Sequence, residues 1–185
     1  MAPIQFPGEE ACLALLEKHE TPVHIIRHCQ MVWEVGKVLG AGLLENQVPV
    51  DMELIRASCL LHDIGKYPCL LDGTHYHDVR GEQMLEAAGL PEVARIVVQH
   101  VVLRGRPSDP IREEHVLFYA DKRVVHDKVV SLDERFEYLC DTYGQSSGAV
   151  SRLLGMKEET MRLEQRIFHH LDFTPDDVPS LLLAF

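Results

Sequence analysis

The chain has 185 residues, 46% of them hydrophobic and 25% charged, enough for one domain with a sizeable core that needs no disulfide or structural metal. Its 18 basic and 29 acidic residues leave a net charge of −11, which argues against a general nucleic-acid or anionic-membrane binder, because those partners need a basic surface. A small anionic substrate stays open, since a bound metal would dominate the local field.

Cys12, Cys29, Cys59, Cys69 and Cys140 are scattered, odd in number and form no C-x-x-C pair, which reads as reduced thiols in a cytosolic protein. The first twenty residues carry Glu9, Glu10 and Glu17 and have neither the basic nor the apolar region of a signal peptide. No uncharged stretch approaches the roughly 18 residues that span a bilayer. A cytoplasmic location is expected.

Taken in order, almost every segment reads as helix. A first helix opens after Gly8 and runs to about His19. Thr21-Pro22 caps a second, whose apolar face includes Ile25, Val32, Val35 and Leu39 and which should stop at the glycines of 40–42. Asp51 caps a third through Ile64, apolar enough to be central. Gly65, Pro68 and Asp72-Gly73 predict a loop. A fourth helix should begin near His77–Arg80 and end at Gly89, and Pro91 should open a fifth through about Val102. After a loop at 104–110, a helix from Ile111 carries Asp121, and two amphipathic helices should cover about 131–143 and 147–171. The β-rich runs around His100 and at Lys128-Val129-Val130 carry no hairpin signal. The expected fold is all-α, one compact helical domain over 1–185 with its core at about 20–145 and the C-terminal helices packed on it.

Chemistry is concentrated at Leu60-Leu61-His62-Asp63-Ile64-Gly65-Lys66. A His-Asp pair at the end of an apolar helix is costly to bury unless the two are bonded to each other or to a metal. Both readings stand on this segment alone. His28 lies on a second helix, and Asp121 follows the apolar run Val116–Ala120. Imidazole nitrogens and carboxylate oxygens from separate buried helices suit a divalent first-row transition metal. Glycine at 65 would let the chain leave the helix sharply, so that Lys66 turns back to the same place.

The ordered set His28, His62-Asp63 and Asp121, with His62-Asp63-Ile64-Gly65-Lys66 inside it, resembles the HD superfamily of metal-dependent phosphohydrolases in its HDIG form. His77-Asp78-Val79-Arg80-Gly81 has the His-x-x-x-Gly form of members that hold two metals, and His100 falls where those members place another ligand. Glu114–Asp121 is similar to the matching segment of bacterial HD enzymes that split diadenosine tetraphosphate symmetrically. The loop after His100 departs from theirs, reading Val-Val-Leu-Arg-Gly-Arg-Pro instead of Thr-Thr-Gly-Arg-Pro.

The resemblance implies an HD-type fold and metal-dependent hydrolysis of a phosphoester or phosphoanhydride bond in a nucleotide-type substrate. By it, His28, His62, Asp63 and Asp121 would hold a first metal and His77 and His100 a second, with Asp63 shared and catalytic. The expected cofactor is a pair of divalent transition ions per chain: iron, manganese, cobalt or nickel. Lys66 would hold a phosphate oxygen, and Arg80, Arg104, Arg106 and Arg123 are candidate phosphate forks. Alternatives are a non-catalytic regulatory module on the same scaffold and an iron-dependent HD-type oxygenase. Expected partners are a small phosphorylated substrate and, by self-association, a second copy in a homodimer; no membrane and no stable nucleic-acid complex are expected. His24, one turn before His28, and His75, beside His77, are rival ligands in the residues themselves.

Overall fold

A computed structural model describes residues 5–106 and 108–182. Ten α-helices and one two-stranded ribbon follow in chain order among these residues. The helices are α1 (Glu9–Lys18), α2 (Val23–Glu45), α3 (Met52–Leu61), α4 (Lys66–Asp72), α5 (His77–Ala87), α6 (Pro91–Val97) and α7 (Glu113–Lys122). After the ribbon, β1 (Val124–Val125) and β2 (Lys128–Val129), come α8 (Leu132–Tyr143), α9 (Ser147–Phe168), a 3-10 turn at Pro175–Asp177 and α10 (Val178–Leu181).

Local chemistry accounts for several helix starts. The Asp51 carboxylate accepts the backbone N–H groups of Glu53 and Leu54, and Ser131 and Glu134 form a reciprocal capping box before α8. The centre is made by α2 and α3, packed along each other, with α7 laid on both and α6 on α3 and α7. Val32, Leu39, Ile55, Leu61, Leu117 and Tyr119 are all fully buried there. Tyr119 donates to the Glu164 carboxylate at 2.5 Å, tying α9 to α7.

The helix opened by Pro91 ends at Val97 and not near Val102, and the Thr21 side chain does not cap α2, whose N-cap is Pro22. Three further expectations change. First, α2 does not stop at its glycines but runs on to Glu45. A Cβ at Gly40 would come within 2.5 Å of Met52 Sδ, and one at Gly42 within 2.9 Å of Leu171 and Phe173, so these glycines admit neighbours instead of ending the helix. Second, the expected loop at 65–73 contains α4. Pro68 sits in its first turn, where no intrahelical N–H is required. Gly73, at φ 73°, then ends it. Third, residues 124–129 form an antiparallel hairpin whose loop holds His126 at φ 56°, a conformation usually signalled by glycine or asparagine.

Candidate metal centre

Five segments deliver the site. His62 and Asp63 leave the end of α3, His28 comes from the second turn of α2, Asp121 from the last turn of α7, and His77 from the first residue of α5. His100 follows α6 in a short turn. All but His77 are buried.

Gly65 brings the α5 ligand in. Its own backbone, at φ −78° and ψ −10°, is ordinary right-handed helix, so no special conformation calls for glycine. A Cβ there would lie 2.3 Å from the His77 carbonyl oxygen and 2.5 Å from the Gly81 nitrogen. Glycine therefore lets α5 rest against the turn after Asp63, which sets His77 beside that carboxylate. Lys66 does return to the site, one helical turn on, with Nζ 2.8 Å from Asp63 Oδ2.

Three of the rings share one arrangement. His28 Nδ1 donates to the His126 carbonyl at 2.9 Å, His62 Nδ1 to the Cys59 carbonyl at 2.8 Å, and His100 Nδ1 to the Val97 carbonyl at 2.7 Å. A carbonyl can only accept, so each neutral ring keeps its Nε2 lone pair free and aimed inward. The hairpin earns its place here, since its loop supplies the carbonyl that orients His28.

The inward atoms form two groups: His28, His62 and Asp121, and Asp63, His77 and His100, with the donor atoms of each group lying within 4.8 Å of one another. In the first group, His28 Nε2 is 3.1 Å and His62 Nε2 3.7 Å from Asp121 Oδ1. In the second, His77 Nε2 is 3.5 Å and His100 Nε2 3.7 Å from Asp63 Oδ1, and the two imidazole nitrogens are 3.1 Å apart. Asp63 stands between the groups, because its other oxygen, Oδ2, lies 3.7 Å from His62 Nε2.

Lone pairs and carboxylate oxygens facing each other at these distances repel. His62 Nε2 is fully buried with no hydrogen-bond partner among the described residues, an arrangement that stays costly until a cation enters. The donor set thus fits divalent transition metal, with imidazole nitrogen mixed with carboxylate oxygen. Burial lowers the pKa of His62 and, more strongly, of His100, which keeps both rings in the neutral form that binds metal. Burial alone would raise the Asp63 and Asp121 pKa values. Lys66 beside Asp63, and Lys122 and Arg135 beside Asp121, outweigh it and hold both carboxyls well below their usual range.

A cavity of about 440 Å³ opens on this cluster. Its polar floor includes Asp63, Lys66, His77, His100, Asp121 and Lys122, and its apolar wall is Leu139 and Tyr143 of α8 with Leu153 and Met156 of α9. Sequence reasoning gave no role to Lys122 and Arg135. Lys122 Nζ lies 2.6 Å from Asp121 Oδ2 and 2.8 Å from the His100 carbonyl, joining the two groups. Arg135 lies 3.4 Å from Asp121 Oδ1 and lines the cavity, with a buried Nε lacking a partner among the described residues. The available signals were slight: a lysine directly after a ligand, and an arginine on the first turn after a strong cap.

The remaining arginine candidates lie elsewhere. Arg80 pairs with Asp72 at 2.6 Å on the surface. Arg123 is buried, and its guanidinium donates to the Tyr119 hydroxyl and to the carbonyls of Val130 and Pro175, which ties the hairpin and the C-terminal segment to α7. Arg104 and Arg106 line a different cavity. Of the rival histidines, His24 is exposed and His75 lines the main cavity without joining either group.

A family model described as the HD domain matches residues 25–124, a span that contains all six clustered His and Asp residues. An uncharacterized protein of Methanocaldococcus jannaschii is 26% identical over 170 residues, covering 83% of this chain and 97% of that one. A protein of Picrophilus torridus named tRNA (cytidine(56)-2'-O)-methyltransferase is 27% identical over 170 residues, covering 83% of this chain but 46% of the relative. One of the same name from Thermoplasma volcanium is 30% identical over 142 residues, 69% of this chain and 40% of the relative. The chain thus spans under half the length of the two methyltransferases it matches. No solved structure matches it significantly. No helix among the described residues is long and apolar enough to cross a membrane.

Proposed function

The chain therefore belongs to the HD domain family, and on that premise we propose that it is a metal-dependent phosphohydrolase acting on a phosphoester or phosphoanhydride bond of a nucleotide-type substrate. The observation that carries this reading is the convergence of three Nε2 lone pairs, each fixed by a backbone carbonyl on Nδ1, upon two ionised carboxylates. His28, His62 and Asp121 would hold one ion and His77 and His100 another, with one Asp63 oxygen directed to each. Divalent ions so held supply a water that is deprotonated near neutral pH and a counter-charge for the attacked phosphate.

The chain's own residues do the rest. Lys66, half exposed at the cavity rim, offers the N–H groups that Asp63 leaves free to a phosphate oxygen. Arg135 lines the same cavity and has an Nε donor with no partner among the described residues. Lys122 stays bonded to Asp121 and the His100 carbonyl, so its part is to hold the ligands in place. Leu139, Tyr143, Leu153 and Met156 exclude water and seat the organic half of the substrate. The tRNA-related names of two relatives add support for a nucleotide-containing substrate; their methyltransferase activity is not carried over.

The test is phosphate release from a panel of nucleotides by chelator-treated protein, with manganese, iron, cobalt or nickel restored separately. Turnover should require the metal and be abolished in Asp63→Ala with its helical circular dichroism retained. Full turnover by metal-free protein, or by Asp63→Ala, would remove the cluster from the mechanism, and oxygen uptake without phosphate release would move the chain to the oxygenases.

A further inference from the structure

Beside the metal cavity lies a second one, of about 260 Å³, built on the next stretch of the same three elements. The loop that follows His100 contributes Arg104 and Arg106, α7 contributes His115, and α9 contributes Arg162 and Arg166. On α7, His115 precedes Asp121 by about 9 Å of helix, and on α9, Arg162 follows Met156 of the metal cavity by a similar rise.

This cavity gathers four arginines in a chain of net charge −11, and Glu159 is the single acid among its lining residues. Arg56, Arg80 and Arg95 each have a carboxylate partner elsewhere. The guanidinium groups of Arg104, Arg106 and Arg162 have none among the described residues; Arg166 donates to the Asp109 carbonyl. Gly105, at φ 111°, and the bond from the Arg106 N–H to Asp109 Oδ2 at 2.7 Å fold the loop into the turn that bears both arginines.

His115 adds an independent observation. It is 4% exposed, and its Nδ1 accepts the Arg112 backbone N–H at 3.2 Å. The ring proton therefore sits on Nε2, a donor with no protein partner among the described residues, in a side chain that lines the cavity. An unanswered donor amid unpaired guanidinium groups is what an anion would satisfy.

We propose that this cavity is a second phosphate-binding site, apart from the metal ligands, in which His115 Nε2–H and the guanidinium groups of Arg104, Arg106 and Arg162 hold a phosphate group. That phosphate belongs either to the far end of the molecule being hydrolysed or to a separate phosphorylated small molecule. The site stands without the hydrolase reading, because it uses none of the metal ligands.

The experiment is calorimetric titration of metal-loaded protein with inorganic pyrophosphate and with the trinucleotide pTpTpT. Wild type is compared with Arg104→Gln/Arg162→Gln, whose substitutions are both exposed, and with Lys66→Ala. Pyrophosphate should show a saturable event that weakens about tenfold or more in the double variant and persists in Lys66→Ala. Arg104→Lys/Arg162→Lys should recover part of it. If one ligand spans both cavities, Lys66→Ala and the double variant will each weaken pTpTpT; if the two are separate ligands, only the double variant will weaken binding in this cavity. A double variant with the wild-type melting temperature and superimposable titrations would overturn the proposal.

Discussion

Replacing Gly65 by alanine tests how the two ligand groups are held together. The added methyl would meet the His77 carbonyl oxygen at 2.3 Å and the Gly81 nitrogen at 2.5 Å. Ordinary contact needs more than 3 Å, so α5 must retreat by about 1 Å, and neither backbone atom can rotate aside as a side-chain end could. Overpacking of this kind costs about 1–3 kcal/mol. For a chain of this size that lowers Tm by roughly 2–12 °C. The consequence is local: the three atoms nearest the methyl all belong to α5, so the retreat draws His77 away from Asp63 and His100 more than it disturbs His28, His62 and Asp121. Differential scanning calorimetry with elemental analysis should show a lowered Tm and loss of metal from the His77 group alone. An unchanged Tm with full metal content would refute the close-approach explanation of Gly65.

Lys66→Ala should keep its metal yet lose about one to two orders of magnitude in turnover, the worth of a charge-assisted contact of about 1.5–3 kcal/mol; wild-type kinetics would make Lys66 only a partner of Asp63. Arg123→Ala should destabilise the fold by about 3 kcal/mol in urea titration with metal content unchanged, because it strips donors from the buried Tyr119 hydroxyl and the Val130 and Pro175 carbonyls. Loss of turnover without loss of stability would instead return Arg123 to the substrate. Metal-free protein should lose stability as pH falls. Burial lowers the pKa values of His62, His100 and His115, so the unfolded chain takes up protons first, from about pH 6.5 downward, and stability is full only above that value. A urea midpoint unchanged between pH 7.5 and 5.5 would contradict that assignment.

The helices and the membership of the His/Asp cluster were legible in the sequence, and they were legible for different reasons. Asp51 advertises a helix start through its own side chain, apolar spacing placed the face of α2, and apolar content marked α3 as central. His62-Asp63 at the end of an apolar run marked a buried polar pair, and the HD-type pattern supplied His77 and His100, which chain order alone could not join. What stayed hidden was tertiary. Gly40 and Gly42 look like a helix end but face Met52, Leu171 and Phe173, and Gly65 looks like a turn residue but answers to the backbone of α5. The 124–129 hairpin is too short for a period of two to show, and its His126 turn lacks the usual residue types. Arg135 reaches Asp121 because the 124–129 hairpin turns the start of α8 back towards the end of α7, a tertiary placement that the cap before α8 does not reveal.

The most direct test of the central claim is the number of ions bound per chain under saturating manganese, iron, cobalt or nickel. It is measured by elemental analysis on wild type and on His77→Ala/His100→Ala. Two groups of converging ligands predict about two ions in wild type, falling to about one in the double variant while His28, His62 and Asp121 keep theirs. A wild type that binds no transition metal, or one whose single ion is untouched by the double substitution, would contradict the two-ion centre.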